Sequence, residues 1–112
     1  MKGPYPMGKK QIDYADAFKA LSNLSRLKIF GIIRAGHSKS AKCWSENRPD
    51  DIPEGAVCVC EISAKMKIGA PTISHHLKEL RNAGLVDVYQ RGQWSYYTVG
   101  KGALKELKEY FK

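Results

Sequence analysis

The chain of 112 residues has the length of one domain and is too short for a doubly wound nucleotide-binding fold with a second domain. Its hydrophobic fraction of 43% and charged fraction of 27% are those of a globular protein. No apolar run could cross a bilayer and the first residues lack the apolar core of a secretory signal, so we expect a cytoplasmic protein without membrane contact. The net charge of +8 favours an anionic partner such as nucleic acid, although solubility alone could also explain it.

Two helices and a long loop are predicted in the first half of the chain. Residues 1–10 contain two prolines, two glycines and three lysines, and we interpret them as a flexible basic arm before a domain over residues 11–112. Apolar residues at helical spacing predict one helix over residues 12–21 and another over residues 24–35. The second is apolar on most of its circumference and is expected to be the central buried helix. Residues 37–56 lack this periodicity and predict a long loop, a feature that is often functional in compact domains.

A helix-turn-helix pattern follows the loop. Ile62 and Met66 predict a short helix of about two turns, and a turn containing Gly69 comes next. Pro71 suits the first turn of a second helix, and Gly84 suits the position just beyond its end. A short helix, a glycine-containing turn and an amphipathic helix are the parts of a helix-turn-helix motif.

The remaining segments predict a wing and a final helix. Two strand-like runs over residues 85–90 and 93–99 flank the dipeptide Arg91-Gly92 and predict a β-hairpin. Residues 102–112 are amphipathic and predict a last helix. The order of elements therefore predicts an α+β fold, mainly helical, that is a winged helix-turn-helix with the hairpin as its wing.

The second helix of the motif has one face suited to DNA. Ile73, Leu77 and Leu80 form an apolar stripe that must face the core, and for His76 we expect packing or a hydrogen bond. The polar residues on the other side could bind base edges and phosphates, although a solvated helix face would look much the same. The hairpin tip favours DNA because it adds a cation and amides at the end of a projecting ribbon. The predicted DNA contacts are Thr72, Ser74, His75, Lys78, Asn82, Arg91 and Gln93.

The pair Cys58 and Cys60 lies at the start of the first motif helix. Residues i and i+2 point about 200° apart in a helix but to the same side in extended backbone. We therefore expect Cys58 just outside the helix, where both sulfur atoms can converge. A helix N-terminus favours the thiolate form, and thiolates bind thiophilic ions. The third cysteine, Cys43, lies in the predicted loop.

Other interpretations of the cysteines remain open at this point. Cys58 could simply be a small buried core residue, and Cys43 a surface residue of the loop. The pair could form a disulfide on oxidation, with Cys43 as the resolving thiol. Zinc could also be bound if His37 completed a set of three cysteines and one histidine. An enzyme is not predicted, because the chain has no catalytic triad elbow, P-loop or glycine-rich dinucleotide motif.

Three stretches of the chain, residues 20–33, 57–63 and 72–99, resemble the ArsR/SmtB family of metal-responsive winged-helix repressors. The resemblance implies a homodimer held together by the first and last helices. It also implies binding to double-stranded operator DNA with an imperfect palindrome, and release when a metal or metalloid binds. In the family's arsenic and cadmium/lead sensors, two thiols at the start of the first motif helix match Cys58 and Cys60.

The chain also departs from the family pattern. Ser63 stands where one subgroup of arsenic sensors has a third cysteine, and residues 1–35 contain none of the cysteines that cadmium/lead sensors recruit there. The last helix lacks the aspartate and histidine residues of the family's zinc site.

The resemblance and the residues together predict a DNA-binding repressor without a permanent cofactor. As(III) is the favoured inducer, with Cd(II), Pb(II) or Zn(II) as alternatives. Cys58 and Cys60 are its predicted ligands, and Cys43 is a candidate third thiol. The competing functions are a thiol–disulfide redox sensor, a winged-helix DNA-binding protein without a metal response, and a winged helix that binds protein.

Overall fold

A computed structural model describes residues 12–38 and 48–112; the predicted arm over residues 1–10 and Cys43 lie outside the described residues. The described residues form five helices and three strands. In chain order these are α1 (Tyr14–Leu21), α2 (Leu24–Ala35), β1 (Val57–Cys58), α3 (Val59–Met66), α4 (Ala70–Asn82), β2 (Val86–Arg91), β3 (Trp94–Val99) and α5 (Ala103–Tyr110).

Side-chain caps set the ends of the first two helices. Asp13 accepts a hydrogen bond from the backbone N–H of Asp16, so α1 begins later than the predicted residue 12. Asn23 caps α2 in the same way through the N–H of Arg26, and α2 has the predicted bounds. Gly36 follows α2 with a φ of 88°, a conformation that glycine adopts without strain. Within the predicted loop, the described residues 37–38 and 48–56 contain no helix or strand.

Helix α2 lies at the centre of the domain and contacts α1, α3, α4 and β3. The helix is central as predicted, but only part of its apolar circumference is buried. Ile29, Phe30 and Ile33 are buried, but Leu24 and Leu27 are 66% and 48% exposed. A domain of this size has too little interior to cover a helix on every side.

The helix-turn-helix is confirmed as α3, a short turn and α4. Lys67 ends α3 in the left-handed conformation, and Pro71 lies in the first turn of α4. The predicted stripe of Ile73, Leu77 and Leu80 is buried in the main hydrophobic core. The rest of the α4 surface is therefore free to carry polar side chains.

The wing belongs to a three-stranded antiparallel sheet with strand order β1–β3–β2. The predicted hairpin is confirmed as β2 and β3, and its two-residue turn is Gly92-Gln93. The sequence analysis did not anticipate β1, whose two residues pair with Tyr96 and Tyr97 of β3. A strand of two residues is too short to show an alternating pattern, but it joins the Cys58 backbone directly to the wing.

The first and last helices pack against each other. The N–H of Ile12 donates to Oε1 of Glu106 at 3.0 Å, and the Tyr14 hydroxyl donates to the Glu106 carbonyl at 3.1 Å. Aromatic rings extend this contact, with 4.8 Å between the centroids of Tyr14 and Tyr110 and 5.0 Å between those of Phe18 and Tyr110. The apolar surface continues outward to Phe111, which is 73% exposed.

Candidate thiol site and nucleic-acid interface

The two described thiols converge as the sequence predicted. Cys58 is the residue before α3 and has extended backbone, with φ of −69° and ψ of 145°. Its Sγ lies 2.9 Å from the Sγ of Cys60 and accepts a hydrogen bond from the Cys60 N–H at 3.4 Å. Neither cysteine is in a disulfide. The pair therefore presents two sulfur atoms to one ligand from a single turn of backbone.

Tyr96 forms the wall of the site on the side of the sheet. It pairs with Cys58 across the β1–β3 ladder and packs with Ile52 in a small buried cluster. Burial raises the pKa of Tyr96, a negative charge on Cys58 raises it further, and the nearby Arg48 lowers it. The Arg48 guanidinium lies 5.2 Å from the centre of the Tyr96 ring and donates to the Ala56 carbonyl at 2.6 Å. This arginine holds the end of the loop against the thiol site.

Glu61 anchors the other end of the loop. Its side chain is 1% exposed, and its carboxylate accepts hydrogen bonds from Nδ1 of His37 at 2.9 Å and from the N–H of Ser38 at 3.0 Å, and pairs with Nζ of Lys65 at 3.1 Å. Burial alone would raise the pKa of Glu61, but these three partners together lower it below its usual value. Glu61, the residue next to Cys60, therefore fixes the segment that follows α2 against α3.

The contact with Glu61 bears on the predicted zinc alternative. Nδ1 of His37 is bonded to Glu61 rather than directed at the thiols. Across residues 12–38 and 48–112, no three histidine, cysteine, aspartate or glutamate side chains are grouped closely enough to hold a metal ion. The structure therefore does not bring His37 to Cys58 and Cys60, and Cys43 lies outside the described residues.

An open groove connects the thiols with α4 and the wing. It begins at Cys58 and Cys60 and runs between α3, the start of α4 and the tip of β3. Trp94 of the wing, which is 46% exposed, lines its far side. The other lining residues are Val59, Ser63, Ala64, Ala70, Ser74, Gln93 and Ser95. A ligand on the thiols would therefore lie beside both the start of α4 and the tip of the wing.

Helix α4 exposes the polar face that the sequence predicted. His75 is exposed and His76 is buried, as expected from their positions relative to the apolar stripe. Arg81 is an exposed cation that the sequence analysis missed, although its spacing of three from Lys78 places it on the same side of the helix. The predicted contacts Thr72, Ser74, Lys78 and Asn82 are also exposed.

The wing holds its arginine differently from the sequence prediction. Arg91 lies in β2 rather than in the turn, and its Nε donates to both carboxylate oxygens of Asp51 at 2.9 and 3.1 Å. Its Nη1 also donates to the Gln90 carbonyl at 2.7 Å. Gln93 is exposed in the turn. The cation predicted for DNA is therefore paired with a carboxylate from the loop that also contacts the thiol site.

We expect the free energy of unfolding to fall as the pH drops below about 6.5, because of His76. Burial lowers the pKa of His76, and the charges of Arg26 and His75 lower it further. No described residue pairs with its Nδ1. The unfolded chain therefore takes up a proton at a pH where the folded chain does not, which favours unfolding. Urea unfolding of wild type and His76→Gln at about pH 7.5 and about pH 5.5 measures this pH dependence. An equal fall in the free energy of unfolding in both proteins at the lower pH would contradict the role of His76.

Known proteins share this sequence and architecture. Residues 53–88 match the family described as bacterial regulatory protein, arsR family. An HTH-type transcriptional regulator of Methanocaldococcus jannaschii is 33% identical over 93 residues, which are 83% of this chain and 84% of the relative. A cadmium resistance regulatory protein, the CadC homolog of Staphylococcus aureus, is 30% identical over 88% of this chain and 66% of its own. An arsenic resistance regulator of Pseudomonas putida is 46% identical over 39% of this chain and 34% of its own.

Solved structures show the same fold. The homodimeric winged helix-turn-helix domain of a possible ArsR-family regulator from Mycobacterium bovis has a TM-score of 0.61 at 22% identity, over 88% of this chain and 74% of that one. The fold and these relatives define a winged helix-turn-helix transcriptional regulator rather than an enzyme. The chain belongs to the ArsR/SmtB family. No helix in the described part of the chain has the length and hydrophobicity needed to span a membrane.

Proposed function

We propose that this regulator is a homodimeric repressor that releases operator DNA when a thiophilic metal or metalloid binds to Cys58 and Cys60. The observation that carries the proposal is the 2.9 Å separation of the two sulfur atoms at the head of a groove shared with α4 and the wing. Relatives named for cadmium and arsenic resistance support a metal or metalloid inducer. As(III) is the favoured inducer, with Cd(II), Pb(II) and Zn(II) as alternatives, because all of them bind thiolates.

The proposed DNA interface is α4 with the tip of the wing. Helix α4 would lie in the major groove, where its hydroxyl, amide and imidazole groups can bind base edges. The wing would follow the phosphate backbone, and the net charge of +8 favours this contact. The proposed contacts are Thr72, Ser74, His75, Lys78, Asn82, Arg91 and Gln93.

The proposed homodimer would use α1 and α5. Their shared aromatic surface ends in Tyr110 and Phe111, which are more than half exposed in a single chain. Exposed apolar surface of this kind marks an interaction site, and packing it against the same surface of a second copy would remove it from water. Two recognition helices related by two-fold symmetry suit an imperfect palindrome.

The route from ligand to DNA is short. Cys58 ends the strand that pairs with β3 of the wing, whereas Cys60 belongs to α3. A ligand that bridges both sulfur atoms therefore ties the sheet to α3 and lies against the start of α4. Coupling of this kind typically changes DNA affinity by about 5–150-fold, and DNA must weaken ligand binding by the same factor.

Cys43 is the proposed third thiol for inorganic As(III). Ser38, five residues earlier in the chain, is bonded to Glu61 next to Cys60. Five residues span at most about 18 Å, a length that would allow Cys43 to reach the pair. We expect Cys43→Ser to weaken arsenite binding and arsenite-dependent release; unchanged values would remove Cys43 from the site.

Fluorescence anisotropy on labelled DNA from upstream of the coding sequence tests the proposed function. The reduced protein is titrated onto the DNA, and arsenite, Cd(II), Pb(II), Zn(II) or peroxide is then added. Salt-dependent specific binding followed by release with arsenite is the expected result. Specific binding that no metal ion or arsenite disturbs would remove the metal response and leave DNA binding. Absence of specific binding to upstream DNA would overturn the repressor proposal.

Redox sensing is the second candidate function, and the contact between Cys58 and Cys60 favours it. At 2.9 Å the sulfur atoms need to approach by only about 0.9 Å to form a disulfide. Peroxide would oxidise the two thiols to the disulfide and be reduced to water. Release by peroxide that dithiothreitol reverses, without release by arsenite, would favour this function over the metal response.

We expect Asp51→Asn to strengthen DNA binding by about two- to fivefold, a change that corresponds to the free energy of a surface ion pair. The change removes the carboxylate that pairs with Arg91 and leaves the guanidinium to bind a phosphate. The slope of log affinity against log salt should steepen by about one. Asp50→Asn is the matched control, since it removes the same charge from the adjacent residue. Weaker binding by Asp51→Asn would instead show that Asp51 orients Arg91 for DNA.

A further inference from the structure

We infer that a groove between the end of α2 and α5 is a binding site for a single-chain carboxylate with an alkyl tail of medium length. The groove has a volume of about 680 Å³, which is in the range of small-molecule sites. Arg34 lines it from α2, and the other lining residues belong to α5 or follow it directly. It contains neither described thiol and none of the proposed DNA contacts, so the inference goes beyond the proposed function.

The floor of the groove is an apolar row along α5. Leu107 follows Leu104 by three positions and Phe111 follows Leu107 by four, a spacing that places the three side chains on one side of the helix. The contact between α5 and α1 leaves much of this row open to water, because Leu104 is 38% exposed and Phe111 is 73% exposed. An alkyl chain laid along the row would exchange water for contact with apolar side chains.

Cations border the apolar floor. Lys105, Lys108 and Lys112 each follow one of the apolar residues by one position, so they form a second row beside the first. Glu109, which also lines the groove, lies 3.3 Å from Nζ of Lys112 and balances its charge. Among residues 12–38 and 48–112, no carboxylate lies within ion-pair distance of Arg34, Lys105 or Lys108. The groove therefore has an excess of positive charge next to an exposed apolar surface.

This combination suits a ligand with one anionic end and one apolar end. The Arg34 guanidinium can bind a carboxylate through two parallel hydrogen bonds, and the lysines add the attraction of their charges. A bare anion would leave the apolar floor in contact with water, and a neutral apolar molecule would gain nothing from the cations. The groove shares Phe111 with the proposed dimer surface, so a ligand bound here would lie beside that surface and away from the thiols.

Two-dimensional NMR of the reduced full chain, titrated with decanoate below its micelle concentration, tests the inference without DNA or arsenite. The backbone amide signals of Arg34 and α5 are expected to shift and to saturate. Each fully buried methylene is worth about fourfold in affinity, and because the groove is open we expect decanoate to bind about tenfold more tightly than hexanoate. Decylammonium, which has a similar tail and a positive head, should not bind.

Three variants assign the binding to the groove. Arg34→Gln should weaken decanoate binding by about three- to fivefold, as expected for an exposed ion pair. Lys28→Gln is the matched control, because it removes the same charge from an exposed position of α2 outside the groove, and it should bind like wild type. Leu104→Ala should reduce the preference for decanoate over hexanoate. Thermal unfolding checks that each variant folds.

The outcomes separate this inference from the proposed function. Saturable shifts in the groove that depend on Arg34 and Leu104 support it. Equal binding of decylammonium, or no shift with decanoate, would overturn it. Binding to phosphatidylglycerol vesicles alone would assign this face to a membrane surface, and groove signals that move only with protein concentration would assign it to the dimer; both results would also overturn the inference. None of them changes the expected release of DNA by arsenite.

Discussion

Replacing Cys58 and Cys60 together with serine is expected to give a protein that binds upstream DNA like wild type but keeps it when arsenite is added. Serine has nearly the same shape as cysteine, but its hydroxyl is a poor ligand for thiophilic ions. The proposed DNA contacts lie on α4 and the wing tip, so neither substitution removes one. The variant should therefore lose the whole coupling between ligand and DNA, about 5–150-fold in affinity.

Anisotropy measured with and without arsenite gives both affinities in one experiment. Ser63→Ala is the matched control, because Ser63 lines the same groove without being a thiol. It should release DNA like wild type. Cys58 is buried, so thermal unfolding must first show that the double variant folds. Arsenite-dependent release that persists in the folded double variant would place the inducer site elsewhere in the protein.

Features with a local cause could be predicted from the sequence. The buried stripe of α4 follows from helical periodicity alone, because Ile73, Leu77 and Leu80 share one face in any α-helix. The convergence of Cys58 and Cys60 follows from their spacing and from the extended backbone that precedes a helix. The wing could be predicted from two strand-like runs around a turn, although the turn itself lies one residue later than predicted.

Features that depend on tertiary contacts could not be predicted. Glu61 meets His37 across 24 residues and Asp51 meets Arg91 across 40, and no local pattern relates either pair. The exposure of Leu27 has a different cause. An apolar residue on a helix looks the same in a sequence whether the fold buries it or leaves it exposed, so periodicity does not show which sides of α2 the small interior covers.

Glu61→Ala is expected to lower the free energy of unfolding by about 3 kcal/mol. The carboxylate is 1% exposed, and its removal breaks its contacts with Nδ1 of His37, the N–H of Ser38 and Nζ of Lys65. The expected loss lies at the low end for a broken buried pair because Lys65 is 42% exposed and can turn to water. Urea unfolding measures the change, and a loss below about 1 kcal/mol would contradict a structural role for the anchor.

Glu61→Gln separates the charge of the anchor from its shape. The amide oxygen can still accept one hydrogen bond, so this variant should lose less than Glu61→Ala. The lowered pKa of Glu61 means that its contribution is present above its usual value of 4.5 and disappears as the pH falls through the folded value. The free energies of unfolding of wild type and Glu61→Gln should therefore converge as the pH falls, because a protonated glutamate, like glutamine, carries no charge.

The same anchor connects stability with ligand binding. If Cys43 is the third thiol, Glu61→Ala should also weaken arsenite binding, because Ser38 would lose its hydrogen bond to Glu61, the residue next to Cys60. In a Cys43→Ser background the Glu61 change should then have no further effect on arsenite affinity. Equal effects in both backgrounds would mean that Glu61 acts on Cys60 through α3 rather than through the loop.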